Sequence, residues 1–307
     1  MDKIDAMKVF IQVAETGSFT RAAEGLGLPR ATVSAAVQQL EADLGTRLLH
    51  RTTRQVQLSL DGSMVLERSR QIVADMEEVE NLFVHSPAQI SGKLRVDVPG
   101  RMGHRLIAPA LPDFFRRYPR IELELGSTDR PVDLIQEGVD CAIRGGTLSD
   151  SSLIARPMGN LRQIQCASPG YLAAHSLPVS IDDLSQQWAV NYAVPTSGRV
   201  LPWEFNIGGQ RRSLTMKSRV TVNNAETYIA CALAGMGLIQ IPEYDVRDQL
   251  ESGALVEVLP QARALPLPVF ALYPTRRHLS QRVRAFIDWM DELLHPYVEP
   301  EAHDHRP

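Results

Sequence analysis

Between positions 20 and 54 the chain sets side chains able to hydrogen-bond to nucleotide bases beside others too small to obstruct them. Val33, Val37, Leu40 and Leu44 form the apolar stripe of one helix, so its opposite face carries Ala31, Ala35, Gln38 and Ala42, with Ser34 on its flank and Arg30 at the start. Arginine engages guanine edges bidentately and glutamine adenine edges, while alanine and serine let a helix axis come close to the bases. Downstream, 44–60 contains Arg47, Arg51 and Arg54 and no acidic residue, a local charge that suits phosphate oxygens. The predicted contact set for double-stranded DNA is Thr20, Arg30, Ala31, Thr32, Ser34, Gln38, Arg51, Thr52, Thr53 and Arg54.

A second chemistry-bearing set lies at predicted strand ends. Pro99, Gly100, Arg101, Met102 and Gly103 follow one strand, Ser127 and Thr128 the next, and Arg144 ends a third. Thr196 and Ser197 occupy a later loop, and Asn223 and Asn224 open a helix. Ligands of open α/β sheets bind at carboxyl ends of strands, and glycines beside a cation at a helix start favour an anion. The expected ligand is therefore a small carboxylate, with Arg101 and helix N–H groups converging on it and Thr128 and Thr196 or Ser197 approaching from neighbouring strand ends. Local duties compete for the same residues: Gly100 and Gly103 can shape a turn, Asn224 can cap its helix, and Arg144 can pair with Asp140 or Asp129. His104 reads as a helix-start residue.

Catalysis has no comparable signal. The chain lacks G-x-S-x-G, a Walker loop, H-E-x-x-H and a glycine-rich dinucleotide turn, and its eight histidines are scattered, so no enzyme, cofactor or metal site is expected. Cys141, Cys166 and Cys231 stand far apart in apolar surroundings and read as buried reduced thiols, with a redox response as the alternative. The net charge of −4 divides into +1 over the first 60 residues, which carry seven basic and six acidic side chains, and −5 over the rest, a modest asymmetry. Placement in the wing matters more than that total, because only charges that meet phosphate release counterions. No apolar run reaches the ~18 residues of a membrane span and no signal-peptide pattern opens the chain, so a cytoplasmic protein is expected.

These residues need elements to hold them, and 307 residues suffice for two or three domains. A helix over 5–16 with Met7, Phe10, Ile11 and Ala14 inward, a short helix over 20–26, and the helix beginning at Pro29 form a three-helix unit, with a basic hairpin wing to residue 60. Over 61–90 the apolar residues Val65, Ile72, Met76, Val79 and Phe83 follow a three-four alternation, interrupted only by Ser69. That is a coiled-coil seam asking for a second copy of the chain, in a dimer or tetramer, and Pro87 ends it in a short hinge. From 91 to 297 strands alternate with helices, among them VDLIQEG, which predicts parallel sheets flanked by helices. The remainder, 298–307, reads as a disordered tail.

On Phe10, Val13, Gly17, Ser18, Phe19, Thr20, Ala22, Ala23, Leu26, Val33, Ser34, Leu40, Glu41, Leu44, Gly45, Leu48, Arg51 and Thr52 to Arg54, then Leu58 and Gly62, the chain resembles LysR-type transcriptional regulators. Pro109, Phe114, Tyr118, Pro119, Ile121, Leu123, the segment 140–144, Pro169, Tyr171, Leu172, 234–238 and Pro242 extend the resemblance over nearly the whole chain. Departures are Pro29, where relatives carry a polar residue, and Ala35, where they carry arginine. The resemblance implies an α+β multi-domain protein: a winged helix-turn-helix, a long linker helix, and a C-terminal α/β effector domain with the two lobes of a periplasmic-binding-protein-like fold. Lobe one is expected over 91–164 and 269–297, lobe two over 165–268, with an effector cleft between them. A solute-binding protein without a transcriptional role is the other reading of that fold.

Overall fold

The computed structural model describes residues 1–51, 56–81, 86–146, 153–207, 210–262, 264–274 and 279–299. Thr52, Thr53, Arg54 and Phe83 lie outside the described residues, and of Arg51 only the backbone is described. Two compact units are present, 1–92 with 135–138, and 93–134 with 139–307.

The first unit is built by helices whose ends the sequence writes plainly. Helix α1 (Lys3–Thr16) starts where the Asp2 carboxylate accepts the Asp5 N–H at 2.7 Å and stops at Gly17, whose φ of 60° is left-handed. Helix α2 (Phe19–Leu26) is capped by Ser18, and α3 (Arg30–Leu44) begins after Pro29. Their core is Ala6, Val9, Phe10, Val13, Phe19, Ala22, Ala23, Val33, Ala36, Val37 and Leu40. The inward face of α1 is thus centred on Ala6, Val9, Phe10 and Val13, with Met7, Ile11 and Ala14 on its flanks rather than at its centre. Leu44, expected to be buried, is 41% exposed because the last turn of α3 runs past the core before Gly45 ends it.

Strands β1 (Leu49–Arg51) and β2 (Val56–Leu58) pair antiparallel as the wing. The Glu41 carboxylate on α3 accepts the N–H groups of Leu48 at 2.9 Å and Leu49 at 3.1 Å, fixing where the wing leaves the helix. Helix α4 (Leu60–Asn81) then starts against that junction. The Ser59 hydroxyl accepts the Gly62 N–H and donates to the Arg47 carbonyl, and a Cβ on Gly62 would sit 2.0 Å from the Leu48 carbonyl oxygen. Gly62, Leu66 and Ser69 are the buried side of α4, and Arg70 pairs with Glu15 of α1 at 3.1 Å. Beyond Ser69 no described side chain of α4 is buried, and Ile72, Met76 and Val79 are exposed.

The second unit has two lobes. In lobe one, β3 (Ser91–Val98) runs into a helical stretch made of α5 (Gly100–Met102), a π turn (Gly103–Ile107) and α6 (Ala108–Arg117), followed by β4 (Arg120–Ser127), β5 (Cys141–Gly145) and β6 (Leu153–Leu161). The chain passes to lobe two at Arg162. There it forms β7 (Gln163–Ala167), α7 (Pro169–His175), β8 (Trp188–Tyr192), β9 (Trp203–Ile207), β10 (Gln210–Leu214), β11 (Lys217–Val222), α8 (Ala225–Leu233), β12 (Ile239–Pro242), α9 (Arg247–Glu251) and β13 (Val256–Val258). It returns as β14 (Leu267–Pro274), α10 (Gln281–Leu294) and β15 (Val298–Glu299).

Three expectations change here. The sheets are mixed: β3 and β5 are parallel, as are β8 and β11, but β14 enters lobe one antiparallel between β5 and β6 because it arrives from the opposite lobe. VDLIQEG is a single turn rather than a helix, closed by Val139 N–H to Leu134 C=O at 2.8 Å after Gly138 turns left-handed at φ 68°. Val298 and Glu299 are not tail but an edge strand on β6, where Gly159 makes room: a Cβ there would lie 2.8 Å from Val298 Cβ. Lobe one centres on Phe114, Phe286 and Trp289 between sheet and helices, with Phe114 to Trp289 ring centroids 5.0 Å apart.

Candidate DNA-reading face and effector cleft

The outward side of α3 carries Arg30, Ala31, Ala35, Gln38 and Ala42, all exposed, with Thr32 and Ser34 half-buried at its margin. Their presentation follows from the inward period Val33, Ala36, Val37 and Leu40, which anchors the opposite side. Unlike Asp2 before α1 and Ser18 before α2, Pro29 at the cap of α3 gives no side-chain hydrogen bond; its carbonyl accepts the Thr32 and Val33 N–H groups, and Arg30 is the first helical residue. Thr20 is exposed on the first turn of α2, and Arg47 is exposed at the wing entry. One unit therefore brings together Thr20, Arg30, Ala31, Thr32, Ser34 and Gln38, and the wing strands carry the backbone toward the residues not described.

At the junction of the two lobes the predicted anion receptor is already engaged by the protein's own acids. Arg101 is 6% exposed; its guanidinium donates to both Glu226 oxygens at 2.9 and 3.1 Å and to the Asp245 main-chain carbonyl, with the Asp245 carboxylate 3.6 Å away. The expectation of an open arginine waiting for an effector carboxylate is corrected accordingly: Glu226 and Asp245 come from lobe two, and burial of the charge requires them. Arg105 reaches lobe two as well, to Asp248 at 2.7 Å. Burial pushes the Asp245 carboxyl up to about 7, against the lowering pull of Arg101 and of the Tyr244 hydroxyl, with Asp129 adding to the rise. Burial, with the nearby Asp129 and Asp245 charges adding to it, pushes the Tyr192 hydroxyl well above its ordinary value.

The other effector candidates divide between local work and open surface. Pro99 caps the helical stretch, Met102 is core, and Gly103 permits close approach to β4, because a Cβ there would lie 2.6 Å from the Ser127 hydroxyl. Ser127 donates to the Gly100 carbonyl at 3.3 Å, and Thr128 closes a turn on Arg130. Arg144 is bound to the Asp97 carboxylate and to the Asp97, Ile143 and Arg130 carbonyls; its partner is neither Asp140 nor Asp129. Asn224 caps α8 by accepting the Thr227 N–H at 2.9 Å, and Asn223 beside it is exposed. Thr196 and Ser197 form an exposed turn, and among the described residues no hydrogen bond links them to lobe one. His104 is exposed at 3.9 Å from Glu226. A concavity of about 440 Å³ lies elsewhere on lobe two, beside Tyr171, His175 and Gly235, and none of these candidates lines it.

Sequence reasoning missed Glu226, Asp245, Arg105 and Asp248, and gave Asp129 only a possible pairing. Glu226 had a legible signal, an acid in the first turn of a helix; the rest depend on pairings more than 90 residues apart.

A model of the bacterial regulatory helix-turn-helix protein, lysR family, matches residues 4–63, and a model of the LysR substrate binding domain matches 87–294. The chain belongs to the LysR family of transcriptional regulators. It is 44% identical to the HTH-type transcriptional regulator YhjC of Escherichia coli over 97% of this chain and 100% of that one. It is 40% identical to an HTH-type transcriptional repressor of Pseudomonas aeruginosa, over 96% of this chain and 93% of the relative. Among solved structures, CrgA, a LysR-type regulator from Neisseria meningitidis, superposes with a TM-score of 0.59 at 33% identity, covering 94% of this chain and 98% of that one. ArgP from Mycobacterium tuberculosis shares the fold at 17% identity with a TM-score of 0.61, over 96% and 98% of the two chains. The winged helix-turn-helix, linker helix and two-lobed effector domain are those of this family, and the chain is a LysR-type transcriptional regulator with a substrate-binding domain.

Proposed function

We propose that this regulator reads DNA with the outward face of α3, holds phosphates with the wing, pairs through α4 with a second copy, and takes a small-molecule effector, by first expectation a carboxylate, between its lobes. The carrying observation is the exposed, side-chain-uncapped start of α3, where Arg30 and Gln38 flank Ala31 and Ala35. Small residues bring the axis near base edges and the two long ones reach them. Effector binding alters the geometry of the paired DNA-binding domains only if the effector prefers one lobe arrangement. The redox reading is weaker for Cys141 and Cys166, because burial pushes their thiols up to about 12 and disfavours the reactive thiolate; Cys231 is only partly buried. The regulator acts in the cytoplasm, where its DNA is.

Gel shifts with genomic fragments of the host, repeated over a salt series, test the reading. Arg30→Ala and Gln38→Ala should each change the ratio of specific to random binding by about 1–3 kcal/mol, the size of one good base contact. A ratio left unchanged by both would remove α3 from the reading role.

A further inference from the structure

Tyr297 stands in the turn that joins α10 to β15, and its N–H donates to the Leu294 carbonyl at 2.8 Å, which fixes that turn to the end of the helix. Its ring is where the end of the chain meets lobe two. It packs edge to face on Tyr244, with centroids 6.1 Å apart, and the Arg247 guanidinium lies 5.0 Å over its centroid. Tyr244 is buried and Arg247 begins α9, so both belong to lobe two. The next two residues pair instead with lobe one, Val298 opposite Leu161 and Glu299 opposite Asn160, and Gly159 leaves the space that Val298 fills. β6 is also the strand from which the chain crosses between lobes: beyond it the Glu243 N–H of lobe two donates to the Arg162 carbonyl at 2.9 Å, and the Glu243 carboxylate pairs with the Arg162 guanidinium at 3.0 Å. One short segment thus grips both lobes beside the crossing.

We propose that 295–299 is a strap that holds lobe two against lobe one, with Tyr297 as its clasp on lobe two and the pairing of β15 with β6 as its anchor on lobe one. The chain crosses at Arg162 and returns ahead of β14, and such crossings let one lobe turn about the other with little more than main-chain rotation. Lobe two turns away only when the Tyr297 ring leaves Tyr244 and Arg247, or when β15 leaves β6. Each contact is weak enough for thermal motion to break, so the strap biases the lobe arrangement rather than locking it. It also reaches the lobe junction: the Tyr244 hydroxyl interacts with the Asp245 carboxylate, which lies 3.6 Å from Arg101. The strap acts whatever the effector is, because all of its contacts lie within the chain.

Hydrogen exchange in the full-length protein tests the strap at a reporter between the lobes. The Ala225 N–H, at the first position of α8, donates to the Asp129 carboxylate of lobe one at 3.0 Å, so its protection follows the lobe arrangement. Tyr297→Ala should speed exchange at Ala225 by about 5–30-fold, the size expected for losing an aromatic pair and a cation–π contact, while the amides of β7 inside lobe two keep their wild-type rates. Tyr297→Phe keeps the ring and both contacts and should exchange as wild type does. Arg247→Ala should give a smaller rise, and none in the Tyr297→Ala background, because the two side chains act as one clasp. An unchanged rate at Ala225 in Tyr297→Ala, or a rise matched by β7, would overturn the proposal. If Tyr297→Ala does not fold, Arg247→Ala decides in its place: exchange at Ala225 no faster than in wild type overturns the strap.

Discussion

Arg101 holds a charge that has been taken out of water, and among the described residues the acids that pair with it, Glu226 and Asp245, come from the facing lobe. Removing one member of a buried pair leaves the other desolvated and alone, which costs about 3–5 kcal/mol. Arg101→Ala should therefore lower unfolding stability by an amount of that order in denaturant titration, rather than act as a silent loss of ligand contact. A variant as stable as wild type would show that Asp245 and Glu226 find other partners. Asp245 itself makes a pH prediction. Its folded value, about 7, lies above its ordinary 3.8, so the native state holds the proton more tightly than the unfolded chain. The stability this lends is complete below about pH 4 and is lost as pH rises through 7. Asp245→Asn has no such term, so the stability of wild type relative to Asp245→Asn should fall from pH 4 to pH 7; a relative stability constant with pH would mean the Asp245 carboxyl is not raised.

At the scale of elements, the wing and linker helix meet at one crowded point. A Cβ on Gly62 would collide with the Leu48 carbonyl, which cannot yield without moving β1 or the start of α4. Gly62→Ala should cost about 1–3 kcal/mol, as overpacking does, seen as a lower denaturation midpoint; an unchanged midpoint would mean the junction slides freely. Arg47, exposed at the same junction, should contribute to phosphate binding, and Arg47→Ala should flatten the log-log salt dependence of DNA binding by about 0.9. An unchanged slope would place it off the backbone.

This junction also shows what was legible beforehand. The three helices, wing and linker were readable because caps and a single apolar period are local signals, as Asp2, Ser18, Gly17 and the period of Val33, Val37 and Leu40 illustrate. Leu44 misled because periodicity records which side a residue faces, not whether anything covers it. The antiparallel entry of β14 and the edge strand at Val298 depend on chain returns from distant elements. At the lobe junction, the loops at strand ends were legible as loops and their pairings were not: Arg101 and Glu226 are 125 residues apart, and no local pattern tells a buried arginine from an open one.

For the molecule as a whole, α4 poses the question of assembly. Its 22 residues span about 33 Å, and past Ser69 the described side chains have no core to enter, although Ile72, Met76 and Val79 continue the apolar stripe begun by Val65. Three large apolar side chains on one helical side are favourable only against a partner, and a symmetric pairing with the same helix from another copy buries them without any new sequence. Met76→Glu would place like charges opposite one another in that seam. Sedimentation should then show a smaller species than wild type, while the helical content from circular dichroism stays near the wild-type value because the three-helix core lies elsewhere. DNA affinity should fall by on the order of 10²-fold or more, since two half-sites bound independently lose the effective concentration that the tether supplies. A Met76→Glu protein that sediments as wild type does would move the subunit contact off α4, and with it the explanation of how paired reading helices are held at a fixed spacing.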